Sequence, residues 1–394
     1  MDLVLGPTEL AFRDEVRRFL AEHALPDMQR AIELTTGFIV EPDVLINFHR
    51  ALYAKGWSVP HWPLEYGGTG WSPVQRYIFD LECGRAGVPI YNTSGSHFVG
   101  PVIIHYGTPE QKAKYLPRIR AGDDFWAQGY SEPGSGSDLA SLRTRAVSDG
   151  DDYIINGQKI WTSMGHHANR IFALVRTSAE GKRQEGITFV LIDMDTPGIT
   201  VRPIIGSGGD HEFNEIFFSD VRVPKANRLG EENKGWDVAK YLLQFERGGR
   251  VLAGQVRAQF ARLVRLVAAH ADDDSDIRAR LAEIGTDLDA MEMIDITVLS
   301  TLQAGGNPGP ISSLLKLRWS QIRQAIIELA MDAIGDNALT WVPQRPLYES
   351  LQLPPDEEEL LAATPRYLNS RAFTIMGGTS EIQTNILAKT WLGL

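Results

Sequence analysis

The residues best suited to chemistry in this chain stand in three short segments, of which Gln128–Asp138 is the first. It holds three glycines and three serines, so it offers backbone N–H groups and hydroxyls beside a flexible turn. That combination suits the close approach of a polar ring edge or of a phosphate. Composition alone favours an ordinary long turn, because glycine-rich loops are common.

The second segment is Asn156–Ser163, in which hydroxyl residues follow Trp161. An aromatic side chain on a strand, next to hydroxyls, could cover one face of a planar cofactor. Ordinary core packing would use the same indole equally well. The segment therefore indicates either a cofactor platform or a buried tryptophan.

The third segment is Phe373–Gln383, in which Gly377 and Gly378 precede Thr379 and Ser380 at a helix start. The first turn of a helix presents unpaired N–H groups to an anion, and two glycines before it permit close approach. The alternative is a plain capped helix with Thr379 or Ser380 as its cap.

Composition excludes several classes of function. A net charge of -11 argues against nucleic-acid binding, which needs clustered Lys and Arg, although a local basic pocket remains compatible with it. The single cysteine, Cys83, can form neither an internal disulfide nor a thiolate metal site. Met1–Leu10 lacks the pattern of a signal peptide, and no stretch has the length of a membrane span, so we expect a cytosolic protein without membrane contact.

The pattern of apolar and turn-forming residues changes twice along the chain. Residues 1–122 read as helical, 123–230 as short strands separated by turns, and 231–394 as helical again. Within the middle part, Asn156-Gly157 predicts a hairpin turn. Long helices are expected at about Trp236–Ala269, Asp276–Ala304 and Ile311–Ile334, packed as an antiparallel bundle. The Pro- and acid-rich segment 341–364 is expected to be an exposed excursion, with a partner contact as the alternative.

Together, in this order and spacing, the three segments resemble those of the acyl-CoA dehydrogenase family, and the resemblance covers nearly the whole chain. Tyr106–Lys112, Asp220–Pro224 and Gly230–Trp236 match the same pattern. Pro60–Trp71 and the 341–364 segment look closest to the large subunit of pimeloyl-CoA dehydrogenase and to subunits of heteromeric steroid-degrading members. The resemblance implies a mainly α fold with an inserted β domain: an N-terminal helical domain, a middle β-barrel-like domain and a C-terminal four-helix bundle.

The resemblance also implies FAD as the cofactor and an acyl-CoA as the substrate. Flavin would lie against the middle domain, and the third segment would approach its adenosine side or the substrate thioester. The residues carried over as cofactor-binding are Gln128, Tyr130, Ser131, Gly136, Ser137, Trp161, Ser163, Thr379, Ser380 and Glu381. Those carried over for the substrate are Ser137, Arg247, Gly377 and Gly378.

The catalytic base is expected at an unusual position. Many members carry a glutamate just before the Gly-Thr of the third segment, where this chain has Gly377. A minority place it on the first helix of the C-terminal domain, directly before an arginine, and Glu246-Arg247 matches that pattern. Glu246 follows Leu242 by four residues and so borders an apolar helix face. Gly248-Gly249 costs about 1 kcal/mol per glycine in a helix interior, which suggests a ligand against it. The alternative is a solvated Glu246–Arg247 charge pair.

In the implied mechanism, Glu246 takes the α-proton of the thioester while the β-hydride passes to flavin, giving a trans-2-enoyl-CoA. The thioester oxygen would be bound by the backbone N–H of Gly377 and by a ribityl hydroxyl of FAD. Partial burial beside flavin should raise the pKa of Glu246 towards the operating pH.

One departure from the family bears on assembly. Most homomeric relatives carry an Arg-x-x-x-Phe-Gly stretch whose arginine reaches the FAD pyrophosphate of a neighbouring subunit, whereas this chain reads Ala269–Asp276 there. A run of aspartates is unsuited to a phosphate, so either a different partner chain supplies the arginine or FAD is held less tightly. We therefore expect an α2β2 hetero-oligomer with a homologous subunit, with a homodimer or homotetramer as the alternative, and electron-transfer flavoprotein as the acceptor. The rival functions are a non-catalytic subunit that completes a partner's FAD site, and an acyl-CoA oxidase.

Overall fold

The computed structural model describes residues 5–247, 252–304, 306, 309–339 and 355–394. The first part of the chain is helical. Its helices are α1 (Pro7–His23), α2 (Pro26–Leu34), α3 (Pro42–Lys55), α4 (Pro73–Arg85), α5 (Gly100–Tyr106) and α6 (Pro109–Ala121). A π-helical turn at Ser94–Val99 runs directly into α5.

Proline marks where most of these helices begin. Because its fixed φ suits the first helical turn and its missing N–H is not needed there, proline starts a helix as readily as it ends one. At α4 and α6 the preceding Ser72 and Thr108 complete capping boxes with Gln75 and Gln111. Pro26 and Pro42, which look like breaks in the sequence, are thus the starts of α2 and α3.

A β domain follows, with one eight-stranded sheet in the order β6-β7-β3-β2-β4-β5-β8 and β1 paired in parallel with β4. The strands are β1 (Trp126–Gly129), β2 (Arg145–Asp149), β3 (Asp152–Ser163), β4 (Arg170–Arg176), β5 (Ile187–Asp193), β6 (Ile199–Ile205), β7 (His211–Pro224) and β8 (Arg228–Leu229). Neighbouring strands are antiparallel except at β1–β4 and β2–β4. The mainly α fold with an inserted β domain is therefore confirmed.

The hairpin turn expected at Asn156-Gly157 was wrong. Both residues lie inside β3, and the turn between β2 and β3 falls at Gly150, whose φ is +56°. Gly157 stands at a register shift of the β3–β7 pairing, where an added Cβ would lie 2.7 Å from the Thr144 Cα. The Asn156 side chain exchanges hydrogen bonds with Asp220 on β7. A close backbone approach, and not a chain reversal, explains this pair.

The last part of the chain is helical again: α7 (Gly235–Arg247), α8 (Leu252–His270), α9 (Ser275–Gln303), α10 (Ile311–Ile334), α11 (Pro355–Ser370) and α12 (Ser380–Leu387). Side chains of α8–α11 share one core around Leu288, Trp319 and Leu329. The bounds predicted for α10 are confirmed, and α9 differs from its prediction by one residue at each end. The helix predicted over Trp236–Ala269 corresponds to α7 and α8, with residues 248–251 outside the described part.

The excursion expected at 341–364 was wrong over its second half. Residues 355–364 belong to α11, and Ala362 and Ala363 are buried in the bundle. Proline at the first helical position followed by acidic residues favours a helix start, because acidic groups there complement the helix dipole. The first half of the predicted excursion lies outside the described residues.

The sheet carries an apolar core on each face, and one of the two joins it to the helices. One face of β4 and β5 packs with α5, α6 and α7, and this core includes Phe172, Phe189 and Leu242. The other face carries a separate core around Tyr153 and Ile216. The first helix of the C-terminal part is thus packed on the sheet rather than on the bundle core. None of the helices in the described residues combines the length and the apolar character needed to cross a membrane.

Glu212, at the start of β7, ties the sheet to the first helical part. Its buried carboxylate accepts a hydrogen bond from the Phe38 N–H at 2.7 Å. Burial raises the pKa of Glu212 to about 7, against the opposing effect of the Phe38 and Ile39 N–H groups. The guanidinium of Arg323 lies near this carboxylate and over the ring of Phe373, so three parts of the chain meet here.

Candidate active site

The loop after β1 begins with the residues expected to meet flavin. Gln128 is half-buried in β1, and Tyr130 is buried with its ring edge-on to Phe172 and Phe189. Ser131 is partly exposed, and the described part of the chain supplies no acceptor for its backbone N–H. Because the buried tyrosine before it fixes the backbone, this partly exposed N–H is a donor of defined position that a ligand could use.

The rest of the loop is held in shape by its own hydrogen bonds. Glu132 and Ser135 exchange two backbone hydrogen bonds of 2.9 Å, and the Ser135 hydroxyl donates to the Asp138 carbonyl at 2.8 Å. Gly136 and Ser137 are exposed at the tip between these anchors. The loop is therefore a defined structure that presents its glycine and serine outward.

A buried ion pair connects this loop to β3. Lys159 is fully buried, and its Nζ donates to Glu132 Oε1 at 2.7 Å and to the Tyr130 carbonyl at 3.1 Å. Burial lowers the pKa of Lys159 to about 8, although Glu132 opposes that fall. Burial alone would raise the pKa of Glu132, but the attraction of Lys159 and hydrogen bonds from Thr144 and Arg143 hold it below its ordinary value. Both groups are thus ionised near neutral pH.

Trp161 lies where β3 bulges against β7, between the register positions of Lys159 and Thr162. Its φ is +60°, which is costly for a residue with a Cβ, and its side chain is 58% exposed. The indole makes an edge-on contact with the ring of Phe213, and the two ring centroids are 6.0 Å apart. Core packing does not explain an exposed indole held on strained backbone, so the structure favours the cofactor-platform interpretation. Ser163, partly buried two residues on, completes this edge of the strand.

Helix α7 carries the candidate base. Val238, Ala239 and Leu242 are buried in the core that also contains Tyr130 and Phe189. Residue 246 lies one helical turn beyond Leu242, near the last residue of α7. The side chains of Glu246 and Arg247 fall outside the described part, so only the helix that carries them is placed.

Gly235 sets how closely α7 approaches the sheet. A Cβ at this position would lie 2.6 Å from both the Phe189 N and the Thr188 carbonyl carbon. Further along the helix, the Tyr241 ring stacks on the His105 ring with 4.5 Å between their centroids. It also contacts the Phe245 ring, with 5.1 Å between the centroids. The helix is therefore fixed by backbone contact at its start and by aromatic packing further along.

The third segment forms two left-handed residues followed by a capped helix. Gly377 and Gly378 have φ values of +65° and +88°, and Thr379 caps α12 by accepting the Ile382 N–H at 3.3 Å. Fully buried Gln383 donates to the carbonyls of Gly377 and Gly378 at 3.1 and 3.4 Å. The capped helix is confirmed, with Thr379 as its cap. The anion site stays a prediction, and Gly377 is exposed just before the cap.

Other groups of this segment are engaged with their neighbours. The Ser380 hydroxyl reaches the Thr374 carbonyl at 3.5 Å. Exposed Glu381 has a pKa below its ordinary value because its own N–H and the Thr379 hydroxyl bind the carboxylate. Buried Lys316 of α10 donates to the Phe373 carbonyl at 3.0 Å, which anchors the approach to the glycines. These contacts attach the segment to the bundle, whereas the loop after β1 is attached to the sheet.

The structure thus brings together the loop after β1, the bulge of β3 and the buried face of α7. Lys159, Glu132 and Gln383 were missed from the sequence. A lysine at an inward position of a strand is a signal that could have found the first pair, since such a charge needs a buried partner. The exposed indole of Trp161 and the N–H of Ser131 suit a planar cofactor with a polar edge, so the residues present fit the flavin that the resemblance implies.

Comparison with known proteins follows the same division of the chain. Family models described as the acyl-CoA dehydrogenase N-terminal, middle and C-terminal domains match residues 6–123, 127–221 and 233–392. Acyl-CoA dehydrogenase IpdE1 of Mycobacterium tuberculosis is 40% identical over 88% of this chain and 87% of the relative. Acyl-CoA dehydrogenase FadE26 of the same organism is 33% identical over 100% of this chain and 99% of its own length.

Solved structures agree with these relatives. The "Tcur3481-Tcur3483 steroid ACAD" superposes with a TM-score of 0.83 at 30% identity, covering 100% of this chain and 99% of that one. The ChsE4-ChsE5 complex from Mycobacterium tuberculosis gives a TM-score of 0.82 at 31% identity with the same coverage. Both names describe pairs of different chains.

Proposed function

Since this chain belongs to the acyl-CoA dehydrogenase family and uses FAD to dehydrogenate an acyl-CoA thioester, we propose that Glu246 is the base that removes the α-proton. The observation that carries the proposal is the shared core: Leu242, one turn before residue 246, is buried with Tyr130 of the loop expected to hold flavin. Gly377, at the position where many relatives carry the base, has no side chain that could accept a proton.

The residues that would hold FAD lie on the sheet and on the third segment. Gln128, Tyr130 and Ser131 would meet the polar edge of the ring, with Trp161 and Ser163 beside it. Exposed Gly136 and Ser137 would face the pyrophosphate or the CoA chain, and Thr379, Ser380 and Glu381 the adenosine side. Bound FAD supplies the acceptor for the β-hydride, so that the product is a trans-2-enoyl-CoA.

The chain's own part in the reaction is to orient the thioester and to move one proton. The α C–H is a weak acid, so charge develops on the thioester oxygen as the proton leaves. The N–H of Gly377 would donate to that oxygen, with Gly378 and Arg247 near the substrate. Glu246 would receive the α-proton.

We also propose that the chain works in an α2β2 hetero-oligomer with a homologous subunit. Support comes from the two heteromeric structural relatives and from Asp272–Asp274, which are exposed between α8 and α9. Asp274 accepts the N–H groups of Asp276 and Ile277, so it serves as a helix cap. A partner chain would supply the cation for the pyrophosphate, and electron-transfer flavoprotein would accept the electrons. Proposed domain limits are 1–122, 123–230 and 231–394.

For the acyl group we propose a steroid-derived or dicarboxylic chain. The word "steroid" stands in the name of a structural relative, and the sequence of Pro60–Trp71 carries the same likeness. In the fold this stretch contributes Trp62 to the core that holds α7. Its location beside the helix of the candidate base fits a part in shaping the acyl site.

The decisive experiment is anaerobic reduction of bound flavin by acyl-CoA. The chain, co-expressed with its partner, would be mixed with a straight-chain acyl-CoA, with pimeloyl-CoA and with a steroid carboxylic acid CoA thioester. We expect bleaching of the visible flavin absorbance in the wild type and its loss in Glu246→Gln. Asp237→Asn is the matched control, because Asp237 is an exposed carboxylate on the same helix. An unchanged bleaching rate in Glu246→Gln would remove Glu246 from the mechanism.

Two features of the sequence favour a second function. Gly377 lacks the usual carboxylate and Ala269–Asp276 lacks the Phe-Gly motif, which suits a non-catalytic subunit that completes the FAD site of its partner. That function predicts that flavin is bound and reduced only in the partner chain, and that Glu246→Gln leaves the rate of flavin reduction unchanged. Peroxide release during turnover in air would identify the remaining rival, an acyl-CoA oxidase.

A further inference from the structure

The Lys159–Glu132 ion pair is built to hold one peptide of the flavin loop. Glu132 accepts hydrogen bonds from Lys159 Nζ at 2.7 Å, the Arg143 N–H at 2.6 Å and the Thr144 N–H at 2.9 Å. Lys159 in turn donates to the Tyr130 carbonyl at 3.1 Å. The pair thus joins three separate backbone positions inside the protein.

Such a pair is a poor device for stability alone. Desolvating two charges costs several kcal/mol per ion, and well-packed apolar residues of similar volume are often as stable or more so. The contacts show what an apolar pair would lose: it would leave the Tyr130 carbonyl and the Arg143 and Thr144 N–H groups without their partners. The pair is therefore explained by the backbone that it orients.

The orientation of the Tyr130–Ser131 peptide follows from these bonds. In a trans peptide the carbonyl and the following N–H point in opposite directions, so a Tyr130 carbonyl facing Lys159 turns the Ser131 N–H away from it. The Ser131 carbonyl accepts the Ile160 N–H at 2.9 Å, which fixes the next peptide as well. The N–H of Ser131 has no acceptor among the described residues. Within the ranges that the structure describes, this N–H is therefore held outward without an acceptor.

We propose that Lys159 is a positioning residue for flavin, which aims and polarises the Ser131 N–H and thereby raises the reduction potential of the bound cofactor. This inference rests on the proposed placement of FAD against the loop. An ammonium group bonded to the Tyr130 carbonyl draws electron density through the peptide, because linked hydrogen bonds in a low-dielectric interior strengthen one another. The Ser131 N–H becomes a stronger donor. Reduction adds electron density to the flavin edge that it would meet, so a stronger donor favours reduction.

Lys159 also links the Ser131 N–H to the indole of Trp161. Lys159 stands directly before the bulge of β3 that carries Trp161, and the N–H of Ile160, between them, donates to the Ser131 carbonyl. One strand therefore sets the position of the indole and the direction of the Ser131 N–H together. Removing the ammonium should therefore change the flavin environment at both the indole and the Ser131 N–H.

The test compares flavin-loaded Lys159→Met with the wild type, each prepared with its partner chain. We measure the reduction potential by equilibration with a redox dye, together with the visible flavin spectrum, the FAD dissociation constant and the thermal midpoint. The expected result is a spectral shift and a lower potential, with reduced flavin bound at least tenfold less tightly relative to oxidised flavin. For a two-electron couple, tenfold is about 30 mV.

Two further variants keep the result interpretable. Lys159→Met/Glu132→Gln removes both charges and replaces the single variant if an unpaired Glu132 prevents folding; the same fall in potential is expected. Arg183→Met is the matched control, because Arg183 pairs with Asp138 of the same loop at the surface. A lower thermal midpoint with unchanged potential and spectrum would overturn the inference. In that case, flavin bleaching by acyl-CoA in the wild type would still support the proposed function. A wild type that shows no bleaching would instead contradict the proposed function itself.

Discussion

Replacing Gly235 by alanine tests whether backbone contact at the start of α7 sets the position of the candidate base. The added Cβ would lie 2.6 Å from the Phe189 N, about 0.8 Å short of the 3.4 Å at which ordinary contact begins. Phe189 and Thr188 are fully buried in β5, which is paired with strands on both sides. The sheet cannot yield, so the helix must shift by most of that distance.

The size of the effect follows from that shift. Overpacking of this kind typically costs about 1–3 kcal/mol of unfolding free energy. A misplacement of about 1 Å at a reacting group can cost on the order of 100-fold in rate. We expect Gly235→Ala to slow anaerobic flavin reduction by about 10- to 100-fold at saturating acyl-CoA, while flavin binding to the loop and to Trp161 changes little.

The assay is single-turnover flavin reduction by stopped flow, with chemical denaturation for stability. Lys240→Ala is the control, because Lys240 lies on the exposed face of the same helix. It should change neither the rate nor the stability by much. A wild-type reduction rate in Gly235→Ala would refute the reasoning. A loss of stability without a loss of rate would show that the contact holds the fold but not the base.

Two further predictions concern buried charge and backbone strain. Burial raises the pKa of Glu212 to about 7, so its contribution to stability is complete below its unfolded pKa and is lost as pH rises through 7. The loss is on the order of 2 to 3 kcal/mol, and chemical denaturation at pH 5 and pH 8 should show it to be smaller in Glu212→Gln; equal losses in both proteins would contradict this. Trp161→Gly removes a left-handed tryptophan, so the flavin-free chain should gain about 1 kcal/mol in stability. The variant should bind FAD more weakly in a fluorescence titration, and unchanged affinity would place the flavin elsewhere.

The elements that the sequence predicts well are those with a strong local period. Helix α10 runs from Ile311 to Ile334 as predicted, because its apolar pattern is uninterrupted and its packing in the bundle agrees with it. The strand-rich middle of the chain was recognisable for the same reason. In both cases local preference and tertiary packing point to the same structure.

The predictions failed where contacts with residues distant in the sequence determine the local structure. Asn156-Gly157 has the composition of a turn, yet Asp220 and Thr144 keep it inside a long strand. Trp161 could be read as core or as platform, since nothing in the neighbouring residues reveals a bulge against β7. Of the candidate site, residue types and order were predictable. The directions of the N–H groups were not, because residues up to 28 positions away orient them, as Lys159 does for Ser131.

The conformation of Gly377 also bears on where this chain could carry a base. A glutamate at that position would have a φ of +65°, where a residue with a Cβ is disfavoured by about 1 to 2 kcal/mol. Gln383 binds the carbonyls on either side of Gly378, so the turn is held in this shape rather than free to relax. A substitution that moved the carboxylate from the position proposed here, residue 246, to residue 377 would therefore place it on strained backbone. The backbone of this one glycine thus favours a base on α7 over a base on the third segment.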